Sequence, residues 1–462
     1  MRQVSPRQVF VRQVSVRQVS RRQVSMPQVS ARQVSARQVS APVLLTGYDV
    51  NAKRQRLLLV SFDGFRWDFD QDVDTPNLDM FTQEGTSAPY VTPAYPTLTG
   101  PDHITIATGL YPESHGVVHN KYFDKETGVT FSAQETEHMR EWYDNGAEPI
   151  WNTVKKQGKR AGVYMFYGGF LPMQGMLPDS SAPTDEAEWQ KRINTIIDWF
   201  LTDDLDFVAL HWNQPDKVCH AQGPESEARR EEIRKADRFI GYLVDQVKGR
   251  EQLSDLNVIL TADHGMITAD PVPNPIEIYR YVSRSDLRLL LADYGPLALI
   301  QPEDGKLQDV YNVLRTSHPN MTVYLKEDFP ERFHFANNPR IPDIIALADS
   351  SFIIHSIYPG QIDVPGQHGY DNALLKMKAI FRAQGPAFRR GYTHPRPFDS
   401  VHMYPLMCEI LGVSPAPNNG TIQEVRKLLD PGFTNRATTT TLSSGLFAIV
   451  FVVLALLFGG NH

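Results

Sequence analysis

Near-continuous runs of apolar residues, each followed by a polar residue capable of chemistry, are the clearest pattern along this chain. Three such runs are residues 57–62 before Asp63, residues 206–210 a few positions before Asp216, and residues 257–261 before Asp263. Strands that are apolar on both faces are typical of a largely parallel sheet with helices on both faces. Because ligands bind at the carboxyl ends of parallel strands, the pattern predicts an α/β sandwich with its chemistry at that edge.

Amphipathic stretches lie between these runs. Residues 186–201 place five apolar side chains at helical spacing, namely Trp189, Ile193, Ile196, Ile197 and Phe200. Residues 225–248 show the same periodicity, so we expect two helices that each bury one stripe against the sheet. Residues 275–355 have no regular pattern and are expected to form an insertion or cap.

The N-terminal residues depart from this pattern. Residues 2–40 repeat a five-residue unit built on Arg-Gln-Val-Ser, a period that fits neither a helix nor a strand. The unit has too little apolar mass to form a core, so residues 1–50 are predicted to be disordered. A basic arm that binds RNA or a membrane is the alternative, and no secretory signal is visible in this region.

The C-terminal residues are strongly apolar. Residues 446–458 contain no polar side chain and follow a Thr/Ser-rich stretch at residues 430–445, which we expect to form a stalk. The apolar segment is shorter than the roughly 20 residues of a membrane span, so a short transmembrane helix and a cleaved lipid-anchor signal both fit. Asn320 and Asn419 each begin a glycosylation sequon. Together these features predict a membrane-anchored, extracellular-facing protein at the cell surface.

Composition narrows the class of protein. With 462 residues and 41% hydrophobic content, the chain is long enough to bury a sizeable core. The formal charge of −7, from 46 basic and 53 acidic residues, argues against a nucleic-acid polymer as partner. Cys219 and Cys408 are the only cysteines, which excludes a disulfide scaffold and leaves their pairing open.

Carboxylates and imidazoles recur together in the sequence. Asp216 and His220 are four residues apart and can converge on one ion if the segment is helical. Asp263-His264 follows an apolar run, Asp63 follows another, and His368 lies between glycines. Zinc takes this mixture of ligands, there are enough of them for two ions, and two metals are typical of phosphoryl chemistry. For each position the structural alternative is a capping or turn aspartate, or a surface or loop histidine.

The neighbours of these ligands carry further expectations. Gly64 and Gly265 would let the backbone pass close to a metal or phosphate. Cys219 precedes a ligand and could compete for zinc as a thiolate, although a buried thiol is the favoured interpretation. The remaining histidines near the motifs are expected to be structural or surface residues, namely His103, His115, His119 and His211.

A threonine-rich stretch at residues 95–103 supplies a candidate nucleophile. A threonine hydroxyl is a poor nucleophile at neutral pH unless a metal ion holds it as the alkoxide. Spacing does not decide between Thr97 and Thr99. Asn120 has an amide donor suited to a developing negative oxygen, or it is an ordinary turn residue.

An ordered set of motifs resembles the ectonucleotide pyrophosphatase/phosphodiesterase family, which has an alkaline-phosphatase-like fold. The motifs are Phe62–Arg66, Thr75–Leu78, Thr108–Gly116, Pro215–Pro224 and Asp263–Met266. The resemblance covers residues 55–420, the expected catalytic domain. Further stretches are most similar to the sphingomyelin-cleaving branch of this family, namely Trp142–Gly146, Pro149–Trp151, Phe335–Arg340 and Ser400–Cys408.

The resemblance implies a two-zinc phosphoric diester hydrolase. One zinc ion would be bound by Asp63, Thr99, Asp263 and His264, and the other by Asp216, His220 and His368. It also implies that Thr99 is the nucleophile and that Asn120 stabilises the charged oxygens, in two steps through a phospho-threonine.

The substrate implied by the resemblance is a choline phospholipid, either sphingomyelin or lysophosphatidylcholine, which would be cleaved to phosphocholine. A choline headgroup is held by aromatic faces through cation–π attraction, and the candidates are Trp142, Tyr143, Phe166 and Tyr167. A nucleotide phosphodiester is the alternative substrate. A catalytically inactive surface interaction protein is a third interpretation.

Overall fold

A computed structural model describes residues 54–183, 188–269, 275–360 and 364–434. The predicted disordered repeat at residues 1–50, the apolar segment at 446–458 and most of the predicted stalk lie outside these residues. Within the described part of the chain, no helix combines the length and apolar character needed to cross a membrane.

Helices and strands alternate along the described residues. The α-helices are α1 (Pro76–Gln83), α2 (Thr99–Thr108), α3 (Pro112–His115), α4 (Ala133–Thr136), α5 (Arg140–Tyr143), α6 (Ile150–Lys156), α7 (Trp189–Leu201), α8 (Asp216–Gln222), α9 (Glu227–Lys248), α10 (Leu307–Leu314), α11 (Met403–Leu411) and α12 (Ile422–Val425). The strands are β1 (Arg56–Phe62), β2 (Thr86–Ser87), β3 (Val91–Thr92), β4 (Ala161–Tyr164), β5 (Ser180–Ala182), β6 (Phe207–Trp212), β7 (Leu256–Thr261), β8 (Ile267–Thr268), β9 (Ile276–Glu277), β10 (Leu287–Leu291), β11 (Leu297–Pro302), β12 (Met321–Leu325), β13 (Ile344–Ala348), β14 (Ile354–His355), β15 (Gly366–Gln367), β16 (Phe381–Gln384), β17 (Tyr392–Thr393) and β18 (Phe398–Asp399). Single-turn 3-10 helices occupy Glu251–Leu253, Ile278–Arg280, Arg284–Asp286, Lys326–Asp328, Glu331–Phe333, Leu375–Met377, Ser400–His402 and Arg426–Leu428.

The central sheet has eight strands in the order β17-β2-β16-β7-β1-β6-β4-β5. The strands β7, β1, β6, β4 and β5 pair in parallel, whereas β16 runs antiparallel to both β7 and β2. The three apolar runs of the sequence are β1, β6 and β7, and β1 and β7 are buried at every position. This confirms the prediction of a largely parallel α/β sheet.

Side chains of the central strands alternate between two helical layers. Phe62 at the end of β1 packs edge-on against Phe239 of α9, with ring centroids 5.5 Å apart. The preceding residue, Ser61, points to the opposite face, where its Oγ lies 2.9 Å from Nε2 of His103 on α2. Because successive side chains of a strand point to opposite faces, helices cover the sheet on both sides, as predicted.

The two predicted amphipathic helices form as α7 and α9. Helix α7 buries Ile193, Ile196, Ile197 and Phe200. Ser226 caps the amino end of α9. Its hydroxyl accepts a hydrogen bond from the backbone N–H of Arg229, so that one unpaired donor of the first turn is satisfied. Both helices bury one stripe, which is the arrangement that their periodicity indicated.

The region from residue 275 to residue 355 contains a second, smaller sheet. Its four strands have the order β10-β11-β13-β12, and each neighbouring pair is antiparallel. The sheet has its own core, formed by residues that include Ala298, Ile300, Val323 and Ala346. The turn between β10 and β11 carries Tyr294, which reaches the candidate site described next.

Candidate active site

The carboxyl ends of three adjacent parallel strands bring the predicted aspartates together. Strand β1 lies between β6 and β7, so the segments that follow the three strands emerge side by side. The backbone N–H of Asp63 donates to Trp212 O at 2.8 Å, and that of Asp216 donates to Asp63 O at 2.9 Å. These bonds fix the order of the two segments at the edge of the sheet.

Gly64 allows this close approach. Its φ of +68° lies in the left-handed region, and a Cβ there would lie 2.9 Å from Cβ of Asp216. At Gly265 a Cβ would lie 2.1 Å from Lys376 O. Both glycines therefore admit other protein segments, and the expectation that the backbone passes close to a metal or phosphate at these positions stays a prediction.

Helix α8 and strand β15 supply the next ligand candidates. Asp216 and His220 lie one turn apart on α8, with 3.3 Å between Asp216 Oδ1 and His220 Nε2. Strand β15 pairs with β8, which follows Asp263-His264, and so carries His368 to the cluster. His368 Nε2 lies 3.1 Å from His220 Nε2 and 3.6 Å from Asp216 Oδ1.

Each of the three imidazoles presents Nε2 to the cluster, because its Nδ1 faces a backbone carbonyl. The Nδ1 atoms of His220, His264 and His368 lie 2.8 Å from Gly366 O, 2.9 Å from Gly265 O and 2.8 Å from Thr97 O, respectively. A carbonyl can only accept, so Nδ1 carries the proton in the neutral ring and Nε2 keeps a lone pair. This is the tautomer that metal-binding histidines use.

Within this cluster of described residues, three buried carboxylate oxygens have no hydrogen-bond partner, namely Asp63 Oδ1, Asp216 Oδ1 and Asp263 Oδ2. Other oxygens of this set are engaged, since Asp263 Oδ1 accepts from the N–H groups of Gly64 and His264 at 3.0 and 2.9 Å. Unpaired carboxylate oxygens that converge with imidazole nitrogens are the donor set of a divalent cation.

Two overlapping groups of donor atoms lie close enough together to hold a metal ion. One group is Asp216, His220 and His368, and the other is Asp63, Asp216 and His264, with all donor atoms within 4.8 Å of one another in each. Asp263 Oδ2 lies 3.3 Å from His264 Nε2 and so adjoins the second group. The residues therefore fit divalent metal ions such as zinc, and Asp216 belongs to both groups.

The electrostatics of the cluster are those of a cation site. Burial, together with the charges of Asp263 and Asp216, raises the pKa of Asp63 well above its ordinary value. Burial also raises the pKa of Asp216, but the neighbouring His220 and His368 outweigh burial and lower this pKa overall. Burial lowers the pKa of His264 to about 4 and that of His368 to about 3, so both rings are neutral at physiological pH.

The structure places Thr99 and Thr97 differently. Thr99 is the first residue of α2, and its Oγ1 lies 3.3 Å from His264 Nε2. Thr97 is fully buried, and its hydroxyl donates to Tyr370 O and accepts from Gly369 N–H, both at 3.0 Å. Only Thr99 has its hydroxyl at the cluster.

Asn120 lies beside Thr99. Its Oδ1 accepts from the backbone N–H of Gly100 at 2.7 Å, and its Nδ2 donates to the hydroxyl of Tyr294 at 3.1 Å. The Asn120 amide therefore lies at the first turn of α2, which begins with Thr99, and is oriented by groups on both sides.

Three of the four aromatic candidates for headgroup binding are buried in the core. Trp142 is fully buried, donates from Nε1 to His119 O, and has the guanidinium of Arg340 over its ring at 4.2 Å. Tyr143 and Phe166 are 1% and 0% exposed. None of these rings offers a face to a solute, which corrects the prediction for them. Tyr167 is half-buried and remains a candidate.

Two histidines expected to be structural or surface residues contact the cluster instead. His211 Nε2 lies 3.0 Å from Asp63 Oδ2, and His103 Nδ1 lies 3.4 Å from Asp263 Oδ2. One sequence signal pointed to His103, which lies one helical turn after Thr99. Tyr294, whose hydroxyl accepts from Asn120, was also missed, and nothing in its local sequence marks it.

Both cysteines are free, buried thiols. Burial raises the pKa of Cys219, so the thiol form is favoured over the thiolate that would compete for zinc.

The fold and this cluster define an α/β enzyme with a candidate metal centre at the carboxyl edge of its sheet. The chain belongs to the type I phosphodiesterase/nucleotide pyrophosphatase family, whose model matches residues 57–371. Membership of this family makes it a phosphoric diester hydrolase.

Relatives and solved structures agree with this assignment. The chain is 42% identical to murine ectonucleotide pyrophosphatase/phosphodiesterase family member 7 over 405 residues, covering 85% of this chain and 91% of that protein. It is 44% identical to human member 7 over 390 residues, covering 81% of this chain and 84% of that protein. The solved structure of murine member 5 superposes with a TM-score of 0.77 at 35% identity, covering 81% of this chain and all of that chain.

Proposed function

We propose that this protein is a two-zinc phosphodiesterase that hydrolyses choline phospholipids, sphingomyelin or lysophosphatidylcholine, to phosphocholine. The observation that carries the chemistry is the hydroxyl of Thr99, 3.3 Å from Nε2 of His264, beside three buried carboxylate oxygens without hydrogen-bond partners. In this proposal Asp63, Thr99, Asp263 and His264 bind one ion, and Asp216, His220 and His368 bind the other.

The chain's own residues supply the nucleophile and orient the reacting groups. Bound zinc would supply Lewis acidity that lowers the pKa of a coordinated hydroxyl or water. Thr99 Oγ1 attacks phosphorus, the bond to the lipid oxygen breaks, and the hydroxyl proton is transferred to the leaving alcohol. Water then attacks the phosphocholine ester of Thr99, releases phosphocholine and restores the hydroxyl. Asn120 stabilises the oxygens on which negative charge develops.

A carboxylate and an aromatic ring beside the cluster support a cationic headgroup. The hydroxyl of Tyr167 donates to Oε1 of the exposed Glu137 at 3.4 Å. Tyr167 also packs against His103 and His211, which contact Asp263 and Asp63, so this pair lies near the cluster. A quaternary ammonium is attracted by both groups, whereas the polyphosphate of a nucleotide is repelled by the carboxylate.

The second candidate function is nucleotide pyrophosphatase activity that releases nucleoside monophosphates. It is favoured by the solved complex of inactive murine member 5 with AMP, which has a TM-score of 0.77 to this chain. It is also favoured by the human bis(5'-adenosyl)-triphosphatase, which is 36% identical over 394 residues. An inactive surface interaction protein is less consistent with the complete set of donor atoms at the site.

A substrate comparison tests these functions. Purified, zinc-loaded protein should release phosphocholine from sphingomyelin or lysophosphatidylcholine faster than it cleaves ATP or a nitrophenyl nucleotide. Cleavage of ATP without cleavage of either lipid would replace the first proposal with the second. Absence of both activities and of bound zinc would favour the interaction protein.

We also propose that the protein is anchored at the cell surface and faces the extracellular space, with residues 446–458 as its membrane attachment. Two observations support a glycan at Asn419 rather than at Asn320. Asn419 is exposed and, among the described residues, uses only its Oδ1, which accepts from the N–H of Tyr111 at 3.1 Å. In Asn320 the nitrogen that would carry the glycan, Nδ2, donates to Asp349 Oδ2 at 3.2 Å. A glycosidase-sensitive mass that disappears in Asn419→Gln but not in Asn320→Gln would support this assignment.

A further inference from the structure

His211 lies near the carboxyl end of β6 and contacts Asp63, one of the ligand candidates. His211 is 4% exposed, and its Nε2 lies 3.0 Å from Asp63 Oδ2. This contact requires one proton between the two atoms, whichever of them holds it. The contact with His211 engages Oδ2 of Asp63. The other oxygen, Oδ1, has no hydrogen-bond partner among the described residues and lies 3.7 Å from Nε2 of His264.

The ring of His211 is itself fixed by its surroundings. His211 lies in register with Ser61 of β1, so both side chains lie on the face of the sheet that α2 covers. The ring packs edge-on against His103, with centroids 4.8 Å apart at 83°, and against Tyr167 at 5.4 Å. A ring held by neighbours on two sides sets the direction of the group that it contacts.

We propose that His211 is a positioning residue that orients Asp63 for metal binding, through its Nε2 contact with Oδ2. The proposal rests on the proposed function only in requiring that the cluster bind zinc. Residues that orient metal ligands from outside typically change metal affinity by about 10–100-fold. A histidine that only filled space would not affect zinc affinity.

Two substitutions separate the contact from the packing. In His211→Gln, the amide nitrogen reaches the position of Nε2 and keeps the contact with Asp63. In His211→Asn, the shorter amide remains near the backbone and loses that contact. His211→Phe keeps the ring between His103 and Tyr167 but has no nitrogen, and it serves if the asparagine variant does not fold.

The measurement is zinc bound per chain in the full-length protein, during titration with a competing chelator. Wild type and His211→Gln should retain two zinc ions to similar chelator concentrations. His211→Asn and His211→Phe should lose one of the two at a chelator concentration about 10–100-fold lower. Excess zinc should restore kcat in these variants. The matched control is His394→Asn, at a buried histidine beside β17, which is separated from β7 by two strands.

Two results would overturn the proposal. One result is that His211→Asn and His211→Phe lose zinc at the same chelator concentration as the wild type. The other is an equal loss of zinc in His211→Gln, which would show that the ring acts through packing. Two bound zinc ions without lipid hydrolysis would overturn the proposed function and leave this inference standing, whereas a wild type that binds no zinc would overturn both.

Discussion

The central sheet carries acidic residues at both ends of its strands, but only those at the amino edge are paired with arginines. At the amino edge, the buried Asp206 accepts from Arg54 Nε and from the N–H of Arg160, both at 2.9 Å, and the half-buried Asp255 accepts from Arg56 Nε at 2.7 Å. At the carboxyl edge, three buried aspartates each have one oxygen with no hydrogen-bond partner among the described residues. Burying unpaired carboxylates together is costly, so the difference indicates that the carboxyl edge is built for ligands and the amino edge for stability.

The largest expected effect is at Thr99, which lies at the carboxyl edge. Thr99→Ala removes the attacking oxygen and should lower kcat by about 10⁴-fold or more, with zinc stoichiometry largely retained. Phosphocholine release from sphingomyelin by wild type and variant is the measurement. Thr97→Ala is the matched control, because its hydroxyl bonds to Tyr370 O and to the N–H of Gly369 rather than lying beside His264 Nε2. Equal activity of Thr99→Ala and wild type would contradict the mechanism.

The next effect is at Asn120. Asn120→Ala removes a donor beside the reacting oxygens and should lower kcat by about 10²–10³-fold. Because Asn120 also accepts from Gly100 N–H, KM should be compared with kcat in the same assay. A change in KM alone would show that Asn120 acts in substrate binding rather than on the developing charge.

A smaller, substrate-dependent effect is expected at Glu137. Glu137→Gln removes the negative charge beside Tyr167. It should lower kcat/KM for choline lipids by about 5–30-fold, which corresponds to the binding free energy of one contact with the headgroup cation. Cleavage of a nitrophenyl nucleotide should not fall, because its phosphate is not attracted by this carboxylate. A parallel loss on both substrates would show that Glu137 serves the catalytic cluster and not the headgroup.

Metal-free protein should reveal the stability cost of the carboxyl edge. The pKa of Asp63 is raised, so its protonation stabilises the fold below its unfolded pKa of about 3.9, and this contribution is lost as the pH rises through the folded value. Chelator-treated Asp63→Asn should therefore be more stable than chelator-treated wild type by about 1–2 kcal/mol at neutral pH. The difference should shrink toward about pH 4. Urea titrations across this range measure it, and a pH-independent difference would contradict the argument.

At the amino edge, replacing an aspartate should lower the free energy of unfolding instead of raising it, and this is the smallest of the expected effects. Asp206→Asn weakens the pairing with the partly exposed Arg54 and should lower the free energy of unfolding by about 1 kcal/mol. Turnover should not change, because this edge lies at the far ends of the strands that carry the site. A loss of turnover without a change in the free energy of unfolding would contradict the conclusion that the amino edge serves stability rather than catalysis.

The elements that carry the site were accessible to sequence reasoning. The apolar runs predicted β1, β6 and β7, because strands covered on both faces need apolar side chains at every position. The four-residue spacing of Asp216 and His220 indicated a shared helical face, and α8 provides it. The aromatic candidates show where sequence reasoning failed. Trp142 and Phe166 are residue types that often bind ligands, yet both are buried in the core.

The sequence by itself determined the parallel sheet, the aspartates at its strand ends and the family motifs, since these depend on local periodicity and short-range spacing. The family resemblance already implied Thr99 rather than Thr97 as the nucleophile, and the structure places the Thr99 hydroxyl at the cluster. Only the tertiary structure decided that His211 contacts Asp63. Asp63 and His211 are 148 residues apart in the chain. Their contact depends on the register between β1 and β6 and on the facing of each side chain, which are properties of the packed sheet rather than of either segment.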